Sequence, residues 1–146
     1  MESSDILGSI AGDDTVFCVA RTHSQAAEFM QKLSRIISAE SRGESLLGQI
    51  AVGNVVLNRV KSQEFPNSVA DVIFDMRHAI QFQPVENGTI FLSPTARSVE
   101  AAKRALDGES VVGASLYFYA PALSQGIWIN ANRVYHSTIG CHRFYL

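Results

Sequence analysis

The chain has 146 residues, the length of one ordinary domain, and a domain of that size buries about 68–70 % of its unfolded surface. Hydrophobic residues at 47 % and charged residues at 18 % exclude a disordered chain. With 12 basic against 14 acidic side chains, a net charge of −2 and no Lys/Arg block, nucleic acid is not an expected partner, and no apolar run is long enough to span a bilayer.

The first segment, MESSDILGSIAGDD, is acidic and lacks a basic start, so it does not read as a secretory signal peptide. Residues 1 to about 33 read as strand, turn, strand, helix. Thr22 and Gln25 have capping-box spacing, which predicts a helix from about His23. Ala26, Phe29, Met30, Leu33, Ile36 and Ile37 then recur at helical spacing. Arg42-Gly43 interrupts that helix, and glycine there suits a left-handed closure. Ser45 is placed to cap a second helix, LLGQIAVGNVVLNRVKS, which is apolar nearly all round and therefore expected at the centre of the core. Gly48 and Gly53 would let a neighbour come close.

Farther along, FPNSVADVIF predicts a loop and a short helix capped by Asn67 or Ser68. QFQPVENGTIFL predicts a loop with a turn at Asn87-Gly88. Ser93-Pro94 has the form of a cap followed by a first-turn proline, and TARSVEAAKRAL a helix ending near Gly108. ASLYFYA reads as a strand ended by Pro121, and IWIN and RVYHSTIG…HRFYL as a small sheet or irregular cover. The expected fold is α+β and mainly helical.

Cys18 and Cys141 have no metal-type spacing and are expected as free, buried thiols. His23, His78, His136 and His142 are scattered, so no metal or other cofactor is expected.

Glu40 is the residue with chemistry in its placement. It follows Ile36 by four positions and Ile37 by three, so it shares the apolar stripe of its helix. A carboxyl withdrawn from water resists ionisation and can serve as a general acid, as glycosidic cleavage requires. Spacing alone also permits a solvated side chain at a frayed helix end. Glu44 lies at the start of the second helix, where the helix dipole favours its charged form. It can pair with Arg42 or stabilise the turn.

The pieces AESRGE, GQIAVGNVVLNRVKSQEFPNSVADVIF, QFQPVENGTIFLSP, AAKRALDGE, LYFYAP, WI and TIGCHRFY, in that order, resemble the cell-wall hydrolase family of the spore-cortex-lytic enzymes SleB and CwlJ. The resemblance covers residues 34–146. The acidic motif of that family reads Glu-Ala-Arg-Gly-Glu, and Glu40-Ser41-Arg42-Gly43-Glu44 departs from it at Ser41. The resemblance implies a lysozyme-like catalytic domain. It also implies cleavage of peptidoglycan between N-acetylmuramic acid and N-acetylglucosamine, a location in the cell envelope or spore, and Glu40 as the catalytic acid. One carboxyl suffices for lytic transglycosylation. True hydrolysis would need another, for which Asp75 and Glu86 are candidates. Glu44, Phe82, Gln83, Tyr117 and Trp128 are the residues expected to bind the glycan strand, the aromatics by their flat apolar faces. Tyr119 fits groove and core equally.

Residues 1–33 do not share that resemblance. The stretch ILGSIAGDDTVFCVARTHSQAAEFMQKL resembles part of the C-terminal, arginine-binding domain of arginine repressors, with Ser9 in place of a threonine. In that family the paired aspartates, here Asp13 and Asp14, meet the arginine ligand, which two carboxylates suit chemically. The alternative function this raises is a non-catalytic oligomerisation or arginine-binding module. Strand edges within residues 5–20 would favour self-association.

Overall fold

Apolar side chains at helical spacing build the first described helix, α1 (His23–Ser41), whose Phe29, Leu33, Ile36 and Ile37 are buried. The computed structural model describes residues 23–73, 88 and 92–146. The expected strands before His23, Asp13, Asp14, Cys18, the self-association segment 5–20, Asp75, Phe82, Gln83 and Glu86 lie outside those residues. The helix starts where the capping pattern placed it and passes through residues 33 and 34 without a break.

The polypeptide then forms α2 (Leu46–Lys61), α3 (Val69–Ile73), α4 (Ala96–Leu106), β1 (Tyr117–Tyr119), α5 (Ile127–Asn132), β2 (Tyr135–Ile139) and β3 (His142–Tyr145). The mainly helical α+β architecture is the expected one. α2 is the central element. Its Ile50, Val52, Val56 and Val60 join α1, α3 and α4 in one core cluster, while Ala51 and Val55 meet Val112 and Phe144 in a second. An element buried on both faces needs the all-round apolar pattern seen in its sequence. Ser45 caps it, its side chain accepting from the Gly48 N–H at 3.2 Å. Gly53 is the close-approach site: a Cβ there would stand 2.9 Å from Ile37 Cδ1 and 3.3 Å from Ala105 Cβ. α3 uses Ser68, whose hydroxyl accepts from the Asp71 N–H at 3.1 Å.

β1, β3 and β2 form an antiparallel three-stranded sheet in that order. The pleat sends Phe118 toward Phe144 and His142, with ring centroids 5.7 and 5.1 Å away, and leaves Tyr117 and Tyr119 on the opposite face.

Four expectations need correction. Gly43 is not left-handed; α1 ends because the Glu44 N–H turns back to the Ser41 carbonyl at 2.8 Å. The cap of α4 is Thr95, not Ser93, since the Thr95 hydroxyl accepts from the Ser98 N–H at 3.1 Å while its own N–H donates to Ser38 on α1. IWIN is not strand but the start of α5, which follows Gly126 in the left-handed conformation (φ 60°). Cys141 is free but exposed, because it sits at the β2–β3 turn beside Gly140.

Candidate active site

Glu40 occupies the last turn of α1, partly buried. Withdrawal from water raises its pKa from 4.5 to about 7, and the nearby Arg59 guanidinium pulls in the opposite direction. A carboxyl so placed is substantially protonated near neutral pH and remains a competent base once it has given up its proton. Ser41, the departure from the family motif, costs the helix nothing in unpaired polarity. It is buried, and its hydroxyl donates to the Ile37 carbonyl at 2.6 Å.

The turn that follows is braced from three directions. Gln49, fully buried on α2, donates from Nε2 to the Glu44 carbonyl at 3.0 Å, and its Oε1 accepts from the Ser98 hydroxyl at 2.6 Å. Arg97 on α4 donates to the same Glu44 carbonyl at 3.1 Å. The Glu44 carboxylate accepts from the Cys141 N–H at 2.8 Å and lies 3.9 Å from His142 Nδ1. The Glu44 carboxylate also raises the pKa of the Cys141 thiol, by a hydrogen bond to that side chain and by its charge. Glu44 thus ties the turn after Glu40 to the β2–β3 hairpin, rather than pairing with Arg42. Burying Gln49 is tolerable only because both ends of its amide are used. Gln49→Leu removes both bonds, leaving the Ser98 hydroxyl only its Thr95 partner at 2.9 Å and the Glu44 carbonyl only Arg97, and should cost about 1–3 kcal/mol, read as a lower urea midpoint with an unchanged slope.

An aromatic wall stands beyond Arg59. Besides Gln49, α2 carries three polar side chains, Asn54, Asn58 and Arg59, that hold the segment leading into β1. Asn54 donates to the Glu109 carbonyl at 2.8 Å and accepts from the Val111 N–H at 2.9 Å. Asn58 donates to the carbonyls of Gly113 and Ser115, each at 2.9 Å. Arg59, itself buried, donates from Nε to the Leu116 carbonyl at 2.7 Å. Tyr117, the next residue, is therefore fixed to the helix that carries Arg59. The Arg59 guanidinium lies 4.7 Å from the Phe65 ring centre and 5.2 Å from that of Tyr117. Tyr117 and Trp128 follow at a centroid distance of 5.6 Å.

Arg59, which the sequence reading passed over, acts by its charge on Glu40 and stands against Tyr117, which in turn meets Trp128. An arginine inside a mostly apolar, buried helix was the available signal, since a buried cation demands carbonyl, ring or carboxylate partners. Tyr119 belongs to a hydrogen-bonded cluster: its hydroxyl accepts from Asn130 Nδ2 at 2.9 Å, while the Tyr145 hydroxyl donates to Asn130 Oδ1 at 2.6 Å. Among the described residues no three His, Cys, Asp or Glu side chains stand close enough to hold a metal ion, and no helix is long and apolar enough to cross a membrane.

Comparison with known proteins places these features in context. The family described as Cell Wall Hydrolase matches residues 43–145, and the Arginine repressor, C-terminal domain family matches residues 1–35. A spore cortex-lytic enzyme of Bacillus cereus is 40% identical over 100 residues, 68% of this chain and 38% of that protein. The chain thus spans little more than a third of that relative's length. Two solved structures match at 38% identity. The catalytic domain of the germination-specific lytic transglycosylase SleB from Bacillus anthracis has a TM-score of 0.72, covering 80% of this chain and 93% of that one. The catalytic domain of the Bacillus cereus SleB protein has a TM-score of 0.73, covering 82% and 91%.

Proposed function

The chain belongs to the cell wall hydrolase family, and from that premise we propose that it cleaves the N-acetylmuramic acid–N-acetylglucosamine bond of peptidoglycan as a lytic transglycosylase, with Glu40 as acid and then base. The observation that carries the reading is the Glu40 carboxyl, raised to about 7 by withdrawal from water, in the last turn of α1 and within the field of Arg59, whose guanidinium stands against the Phe65 and Tyr117 rings. The Glu40 proton passes to the glycosidic oxygen as the C1–O bond breaks and the N-acetylglucosamine side departs as an alcohol. Positive charge develops at C1 of the muramoyl ring, next to the carboxylate just formed. Glu40 then takes the proton from the C6 hydroxyl of the same sugar, and O6 closes on C1 to give a 1,6-anhydro ring. The proton returns to Glu40 and no water is consumed. A single carboxyl thus serves both half-steps, and its intermediate pKa suits donation and acceptance alike.

The names of the relatives support a cell-envelope or spore location and glycan strands as the partner. The test is mass spectrometry of muropeptides released from purified sacculi and from spore cortex. Anhydromuramic ends are expected. Reducing ends would overturn the transglycosylase reading and require a second carboxylate.

A further inference from the structure

Trp128 is 54 % exposed, on a helix, α5, in which no residue is buried. Burial does not hold its ring; neighbours on one side do. Tyr117 meets it at 5.6 Å with the planes tilted by 54°. The Arg133 guanidinium stands 4.4 Å from the Tyr117 centre and 5.6 Å from the Trp128 ring. Glu64, from the loop after α2, pairs with Arg133 at 3.1 Å and so ties that loop to the far end of α5. Phe65, its neighbour, meets Tyr117 at 5.9 Å and carries Arg59 on its face. Rings and cations therefore alternate, from Phe65 and Arg59 through Tyr117 and Arg133 to a half-open indole. An indole held this way offers a flat apolar surface at a fixed attitude. A pyranose ring has a matching apolar C–H face and a polar rim, and no peptide or nucleic acid chemistry is needed to explain the fit.

Taking Trp128 as the glycan-stacking residue that the family resemblance implies, we propose that Arg133, locked by Glu64, is the positioning residue that fixes its ring and so makes it a subsite for an N-acetylated glycan strand. The inference rests on the glycan-cleaving reading above. It adds a specificity device: a strand long enough to reach Trp128 binds better than a short one, through ring placement and without change in the chemistry at Glu40.

Trp128 is the chain's one tryptophan, so its emission reports the subsite directly. Titrating the Glu40→Gln protein with a soluble N-acetylglucosamine oligomer should change that emission saturably. With peptidoglycan strands, Arg133→Met should raise KM about tenfold with a much smaller fall in kcat, and Arg133→Lys should recover part of the loss. Trp128→Ala, at an exposed position, should raise KM likewise and covers the case in which Arg133→Met does not fold. Unchanged emission, with KM the same in Trp128→Ala as in the parent, would overturn the subsite while leaving glycan cleavage intact. An emission response in a protein that cleaves no glycan would sink the lytic reading and leave the subsite standing.

Discussion

Glu40→Gln is expected to lower the rate of muropeptide release by about 10²–10⁴-fold, the range over which a positioned general acid contributes. The amide keeps the shape and neutrality of the protonated side chain, so the end of α1 and the turn after it should be unaltered. Their bracing comes from Gln49, Arg97 and the Glu44 carboxylate, none of which needs the Glu40 proton. The loss should therefore fall on kcat, with binding of the glycan strand retained. Single-turnover release of muropeptides, followed together with the circular dichroism of the variant, checks this. A folded variant within a few-fold of the parent rate would remove Glu40 from the chemistry.

Legibility of the fold in the sequence tracked the range of the interactions. The stripe of α1, the Ser45 cap and the all-round apolar face of α2 are local patterns, and each stands where the pattern put it. Gly53 was legible for the same reason: a glycine inside a buried helix marks close approach, and Ile37 and Ala105 fill the space. The choice between Ser93 and Thr95 as cap was local too, yet Ser38 on α1 decided it by receiving the Thr95 N–H. IWIN has β-branched residues and no helical period. Its helix is set by the left-handed Gly126 before it and by Asn130 Nδ2 donating to the Gly126 carbonyl at 2.9 Å. Glu40 was legible from three- and four-residue spacing alone. Arg59, Phe65, Glu64 and Arg133 were not, because the contacts that bring them together run from helix α2 and its loop to the sheet and α5. The separation is 57 residues for Arg59 to Leu116 and 69 for Glu64 to Arg133. Glu44 was read as a local partner of Arg42 or of the turn, whereas its carboxylate reaches across 97 residues to the hairpin.

Raising the pH should separate the chemistry of Glu40 from its cost to the fold. The folded protein holds the Glu40 proton up to about 7, whereas the unfolded chain releases it near 4.5. Between those values the native state binds more protons than the unfolded state, so stability falls as pH rises and levels off above about 7. The full difference corresponds to about 3 kcal/mol for a group this withdrawn from water. His142 acts in the opposite sense over part of that range. Its burial depresses its pKa below 6.5, so it weakens the fold on acidification, and Glu44 offsets only part of that effect. The two contributions are separated by subtraction. The stability difference between Glu40→Gln and the parent contains the Glu40 contribution alone. It should grow from pH 4.5 to 7, with the variant the more stable at pH 8, as measured by urea unfolding. Activity should show the same group from its other side. The parent's kcat/KM falls tenfold per pH unit above about 7 as the acid loses its proton, and a one-carboxyl mechanism has no matching fall at about pH 4. An acid limb there would report a second, ionised carboxylate and with it hydrolysis by water. A stability difference independent of pH would mean that Glu40 is as well solvated in the fold as in the unfolded chain, and the proton it is proposed to donate would be gone before the substrate arrived.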